Sequence, residues 1–185
     1  MSEVRGQLTG AFPIPIWTGH VELELELPTE FGENNVLRKE YPELKDVVLN
    51  ITQDICEELG FVRQEVKLND MWVNLYDENR MHLAHHYHQN CAFTGTYYPE
   101  DANHNITISN PNAALFQAHY PQRLGDSGYN QESITLNANK GQLVILPSYL
   151  GHEVWWNGKA PSKSISFDIA YQLPIGDKEY GSYSE

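Results

Sequence analysis

From Val21 to Leu27 apolar and acidic residues alternate strictly, Val-Glu-Leu-Glu-Leu-Glu-Leu, which is the two-residue period of a strand with one face in the core and its glutamates in water. The period changes after Pro42. Leu44, Val47, Val48, Ile51, Ile55, Cys56 and Leu59 fall at helical spacing, Pro42 and Glu43 stand in the first turn, and Gly60 follows the last apolar position. An amphipathic helix over 42–59 is therefore expected, covering one face of a sheet. From Val66 onward the chain reads as short β-like runs divided by turn residues: 70–76, 86–98, 105–109, 132–137, 141–147, 152–156 and 164–172. This pattern predicts a mainly β protein, a double-stranded β-helix (jelly roll) with a covering N-terminal α-helix.

Between the runs, 7–18 is expected to be extended because Pro13 and Pro15 exclude a helix. The stretch 110–131, rich in Asn, Pro and Gly, has the length of a lid over a site, with simple disorder as the rival reading. At 185 residues the chain is expected to form one domain: an N-terminal extension over 1–65, a jelly-roll core over 66–174 and a frayed polar tail over 175–185.

Charge narrows the partners. Against 12 basic residues stand 25 acidic ones, a formal net charge of −13, which disfavours duplex nucleic acid, since its phosphates need clustered Lys and Arg. No apolar run approaches the ~20 residues of a membrane helix. The start Met1-Ser-Glu-Val-Arg lacks the apolar core of a secretory signal, so a cytoplasmic location is expected. Cys56 and Cys91 are too few for a disulfide framework and read as reduced packing residues. Oligomeric state is left open, a homo-oligomer included.

The candidate chemistry lies in His85-His86-Tyr87-His88 and in His152. On a strand, His86 and His88 point to one face. His152 follows a strand, the Pro147 turn and the start of a further strand, which can bring it opposite. Three such ligands on one side of an ion leave positions for substrate and dioxygen. His85, Glu100 and Asp101 are the alternative ligands. The other histidines, His82, His104 and His119, read as surface or loop residues. The inward face is expected to carry His86, His88, Asn90, Thr94, Thr96 and Tyr98 from one strand and Ser164, Ser166 and Asp168 from another. Their neighbours Phe93, Ile165, Phe167 and Ile169 face the helix. So polar an interior is costly unless it is hydrogen-bonded or holds a ligand.

Several linked motifs carry a resemblance: Phe12-Pro13-x-Pro15-x-Trp17, Trp72-Val73-Asn74, His86-x-His88 with Thr94-Gly95-x-Tyr97-Tyr98, Leu146-Pro147-Ser148-x-Leu150-x-His152-x-Val154, and Ser164-Ile-Ser-Phe-Asp168. In this order, over nearly the whole chain, they resemble the 2-oxoglutarate/iron(II) oxygenases of tailed phages, cyanophages included, and of bacteria. The resemblance implies a double-stranded β-helix, Fe(II), 2-oxoglutarate as co-substrate with dioxygen, and hydroxylation of an undetermined substrate. It also implies His86, His88 and His152 as metal ligands and, for a phage-borne gene, the host's cytoplasm as the location. Asn74, Tyr98, Ser164 and Ser166 are the candidates for contact with the co-substrate, plain sheet packing being the alternative for Asn74 and Tyr98. Three positions depart from the family's pattern. His88 stands where a carboxylate is usual, Asp168 where Asn is usual, and Ser162 at the place of the arginine that pairs with 2-oxoglutarate. Lys163 is the expected replacement for that arginine, given a bulge after Pro161, and Lys159 is second. Two other readings are a cupin-like metalloenzyme that does not use 2-oxoglutarate, suggested by Gly141-x5-Pro147-x4-His152, and a metal-free jelly-roll binding or virion module.

Overall fold

The computed structural model describes residues 14–32, 34–60, 65–101, 103–119, 131–158 and 160–172. Two antiparallel sheets face each other. The larger has six strands in the order β1 (Trp17–His20), β8 (Gln142–Pro147), β5 (Phe93–Tyr97), β10 (Ser162–Tyr171), β3 (Val66–Tyr76) and β2 (Val36–Arg38). The smaller has four, in the order β4 (His82–His86), β9 (His152–Trp156), β6 (His104–Ser109) and β7 (Ser133–Ala138). Consecutive strands alternate between the sheets from β3 through β6, and again from β8 to β10, which is the jelly-roll architecture expected.

Alternation along the long central strands produces two cores. Phe93, Tyr97, Leu143, Ile145, Ile165, Phe167 and Ile169 point away from the smaller sheet and pack against α1 (Pro42–Glu58) through its Leu44, Val48, Ile55 and Cys56. The helix forms where the 3.6 period predicts. Pro42 opens it, Thr52 turns its hydroxyl back onto Val48 O at 2.7 Å, and Gly60, at φ 76°, takes the left-handed conformation that ends it. The opposite face of the large sheet meets the smaller one through Tyr76, Tyr98, Val144, Leu146, Ile106, Ile108, Val154 and Trp156. Gly95 is obligatory in this stack, because a Cβ there would stand 2.5 Å from both the Phe167 ring and Val144 O.

Three expectations are corrected. The run 86–98 is not one strand: β4 ends at His86, the chain turns through Asn90 at φ 62°, and β5 starts at Phe93 in the other sheet. Tyr87-His88-Gln89-Asn90 has no alternating apolar positions to hold it in a sheet, and Asn tolerates the left-handed conformation. Asn90 is accordingly exposed rather than inward. Second, Val21–Leu27 keeps its burial alternation, and its apolar side chains pack on the α1 core, but it forms no ladder. Its backbone is met instead by single contacts, Val21 N–H to Gly141 O at 2.8 Å and Leu23 N–H to the Tyr97 hydroxyl at 3.3 Å. Third, 110–131 contains a short helix, α2 (Ala113–His119). The lid expected over its remainder, the frayed tail, the start of segment 7–18 and Lys159 lie outside the described residues.

Candidate metal centre

His86 closes β4 and His152 opens β9, and the two are direct partners across the antiparallel ladder. His88 reaches the same place from the turn, which the Pro147–Leu150 corner braces: His88 N–H donates to Ser148 O at 3.0 Å, Ser148 N–H to Ala92 O at 3.1 Å, and the Ser148 hydroxyl to Cys91 O at 2.7 Å. The rings lie 4.4 Å (His86–His152), 5.1 Å (His86–His88) and 5.3 Å (His88–His152) apart, the last pair coplanar within 4°. One nitrogen from each lies within 4.8 Å of the other two. A point therefore exists within about 2.8 Å of all three, and a small inward turn of the rings brings it to the ~2.1 Å of a metal–imidazole bond.

The other nitrogen of each ring is already engaged. His86 Nδ1 sits 2.8 Å from Ala84 O, His152 Nδ1 3.0 Å from Leu150 O, and His88 Nδ1 2.8 Å from Asp168 Oδ1. The carbonyl acceptors on Nδ1 of His86 and His152 fix the tautomer of these two rings and leave Nε2 as the ligand atom, the arrangement that orients metal-binding histidines. Burial pushes the His152 pKa down to about 4, with the neighbouring imidazoles acting in the same direction, and burial also lowers that of His86. Both are thus neutral at pH 7, the form that binds metal. The residues fit a divalent ion.

Asp168 is the functional residue whose role the sequence reading missed. Its contact with His88 lies off the ring N–H direction, so Oδ1 has no hydrogen-bond donor and the attraction is electrostatic. It places a carboxylate against a ligand imidazole and so returns to the three-histidine set the negative charge that a carboxylate ligand would have brought. The signal was present in the two-residue phase shared by Ser164, Ser166 and Asp168. On its other side His88 stacks with Trp72, centroids 5.9 Å apart.

The remaining predicted residues separate into two groups. Asn74, Ser164 and Ser166 form one buried hydrogen-bonded cluster: Asn74 Nδ2 donates to Ser166 Oγ at 3.0 Å and to Ser164 Oγ at 3.4 Å, and Thr96 Oγ1 lies 3.3 Å from Ser166 Oγ. Tyr98 is fully buried at the far end of this row, and its hydroxyl has no partner. Lys163 does not join them. β10 runs without a register shift from Ser162 to Asp168, so Lys163 shares the face of Ile165 and Phe167, and its ammonium lies 3.5 Å from Glu100 Oε1. The bulge that would have turned it inward falls after Asp168 instead. Glu100 is committed to Lys163 through both its side chain and its backbone N–H, and Asp101 accepts from Lys140 N–H at 3.3 Å. His85 lies 3.1 Å from the Ser109 hydroxyl, and His82 stacks on the exposed Trp155 and pairs with Glu153 at 3.2 Å. His104 is a correction: expected at the surface, it is 1% exposed, because β6 turns His104, Ile106 and Ile108 into the inter-sheet core.

Residues 70–168, more than half of the chain and spanning every side chain just described, match the family model described as "Putative 2OG-Fe(II) oxygenase". The chain belongs to this oxygenase family. Its members use Fe(II) and 2-oxoglutarate. No curated protein matches the chain in sequence. Among solved structures, the non-haem α-ketoglutarate-dependent carbocyclase SnoK from nogalamycin biosynthesis aligns with a TM-score of 0.51 at 12% identity, over 75% of this chain and 65% of that one. A 2OG-Fe(II) oxygenase-family oxidoreductase from Burkholderia pseudomallei gives 0.44 at 11% identity, over 68% and 57%. A prolyl-4-hydroxylase from Pseudomonas putida gives 0.46 at 10%, over 72% and 67%. The likeness to SnoK is one of fold. The chain spans less than two thirds of the length of the first two of these oxygenases.

Proposed function

We propose that the protein is a 2-oxoglutarate- and iron(II)-dependent oxygenase that hydroxylates its substrate, with His86, His88 and His152 as metal ligands and Asn74, Ser164, Ser166 and Tyr98 lining the co-substrate's place. The observation that supports this reading best is the convergence of one nitrogen from each of the three imidazoles within 4.8 Å, with Nδ1 of His86 and His152 held on backbone carbonyls and that of His88 beside the Asp168 carboxylate. When bound, iron(II) and 2-oxoglutarate supply the oxidation, taking both electrons of dioxygen reduction that the substrate does not give from decarboxylation of the oxo acid. The chain's own part is to keep His86 and His152 neutral, to bring the three ligands together, to set the Asp168 charge beside His88, and to hold the Asn74–Ser166–Thr96 hydroxyl and amide groups where a polar co-substrate replaces their mutual bonds. The anchoring role is not assigned to Lys163, whose ammonium lies on the α1 face. A catalytic core over 66–174 behind the 1–65 extension, and a cytoplasmic location, belong to the same reading. No described helix is long and apolar enough to cross a membrane.

The deciding experiment is anaerobic addition of Fe(II) and then 2-oxoglutarate, followed by exposure to oxygen. A visible metal-to-ligand charge-transfer band and formation of succinate are expected. Bound iron without the band or succinate would favour the cupin-like reading, to which three histidines are equally suited. No stoichiometric metal on the wild type, unchanged in His86→Ala and His152→Ala, would remove the enzyme reading.

A further inference from the structure

A second cluster of side chains lies four strand residues from the metal ligands, about 13 Å along β9, where Trp156 pairs with His104 as His152 pairs with Ile108. The His104 ring touches Tyr76 (4.7 Å between centroids) and Tyr98 (5.0 Å), and Tyr76 is the β3 partner of Ser162. His104, Tyr98, Ser162 and Trp156 are all at least 96% buried. Yet the Tyr98 hydroxyl, both His104 nitrogens, the Trp156 indole nitrogen and the Ser162 hydroxyl have no hydrogen-bond partner. Orphaned groups in a buried core cost about 1–3 kcal/mol each, and so dense a set marks a place built for a ligand.

The donor balance identifies the ligand's chemistry. Once His104 takes up a proton, the imidazolium offers two hydrogens and Tyr98, Ser162 and Trp156 one each, against only two hydroxyl oxygens as acceptors. A water molecule, which donates two hydrogens and makes about three bonds, leaves this surplus of donors unused. A carboxylate, which accepts at about four lone-pair sites and donates nothing, matches it. The charge balance then identifies the anchor. Among the described residues no Lys or Arg is buried, and the buried histidines are His104 and the metal ligand His152. Around His104, β3 contributes Tyr76 and the end of β5 Tyr98, both held neutral by burial, while Trp156 of β9 and Ala138 of β7 carry no charge.

We infer that His104, assisted by Tyr98, Ser162 and Trp156, holds the distal carboxylate of 2-oxoglutarate, in place of an arginine or lysine. This rests on the oxygenase reading above. The hydroxyl and amide row of Asn74, Ser166 and Ser164 stands along β10 between Ser162 at the anchor and Asp168 beside His88. His104 is neutral in the free protein, since burial holds its pKa near 4, and it takes up a proton as the carboxylate arrives. Binding of 2-oxoglutarate is therefore coupled to proton uptake, and its affinity falls toward tenfold for each unit that pH rises within the coupled window.

The test is calorimetry of the anaerobic Fe(II) protein with 2-oxoglutarate and with 2-oxobutyrate, which chelates a metal in the same way but lacks the distal carboxylate. The wild type is expected to prefer 2-oxoglutarate, with proton uptake seen in buffers of different ionisation enthalpy. His104→Gln is expected to lose roughly 10- to 100-fold in 2-oxoglutarate affinity, with 2-oxobutyrate binding and iron content unchanged, and Tyr98→Phe to lose part of this. Equal loss for both acids, or no loss in either variant, would overturn the assignment. Should His104→Gln not fold, the His104 ring proton followed by NMR in the wild-type protein decides: a shift to the imidazolium position on adding 2-oxoglutarate is expected, and its absence overturns the inference. Wild-type protein that binds 2-oxoglutarate without proton uptake or preference sinks this inference alone. Wild-type protein that binds iron but neither acid sinks the oxygenase reading with it.

Discussion

Replacing Asp168 by Asn removes one negative charge 2.8 Å from the His88 ring while keeping the side chain's shape. Partners of this kind contribute about 10- to 100-fold to metal affinity, so Asp168→Asn is expected to weaken Fe(II) or Ni(II) binding by that factor, checked by competition with a chromophoric chelator. The same carboxylate reaches Cys91, whose thiol is pushed up to about 11 by burial and then by the Asp168 charge. At pH 8 about one Cys91 in a thousand is thiolate. Slow iodoacetamide labelling of native protein, accelerated in Asp168→Asn, is the expected outcome, read by mass spectrometry of the Cys91 peptide. Residue identities were legible in the sequence to the extent that spacing carries them. His86 and His88 stand out as a pair and His152 by its place after the Pro147 turn, and the three converge, although His88 reaches the others from the turn and not from one strand with His86. The role of Asp168 and the burial of His104 depend on which residues lie across the sandwich, and no local pattern reports that. For Lys163, one residue of phase decides the face, and the only irregularity in β10 lies beyond it.

At the scale of elements, the helix and the strands β6 to β10 were readable to within a residue or two, because each is bounded by turn residues and carries an unbroken period. The break between β4 and β5 was not readable, since Asn90 tolerates either an extended or a left-handed backbone and only the bracing by Ser148 selects one. Val21–Leu27 shows the converse, a perfect strand alternation realised without a ladder because burial against α1 alone sustains the pattern. Two substitutions separate the elements' roles. Leu44→Ala in α1, fully buried against the large sheet, is expected to cost about 2–5 kcal/mol in urea unfolding while leaving metal affinity unchanged. Gly95→Ala forces a methyl into the Phe167 ring and the Val144 carbonyl. It is expected to cost about 1–3 kcal/mol or more and to loosen the adjoining Thr94–Thr96 segment, visible as faster amide exchange there.

For the molecule as a whole, two buried neutral histidines set the response to acid. His104 and His152 have pKa values near 4 in the fold against about 6.5 when unfolded. The unfolded chain therefore binds more protons below pH 6.5. Their contribution is complete above that pH and is lost as pH falls toward 4, each on the order of 3 kcal/mol. Urea midpoints of metal-free protein are expected to fall steadily from pH 7 to pH 5, with a smaller decline in His104→Gln.

His86 and His152 meet across one sheet, while His88 hangs from the turn leading to the other, against Asp168 of the large sheet. An ion shared by the three is thus a removable cross-link: it closes the long stretch 87–151 into a ring and clasps the mouth of the sandwich shut. Unlike a covalent bridge, its strength follows the free metal concentration, adding about 1.4 kcal/mol to stability for every tenfold excess over the dissociation constant. The melting temperature should climb with the logarithm of added metal in the wild type and stay level in His152→Ala, so that how firmly the chain stays closed becomes a readout of the metal supply around it.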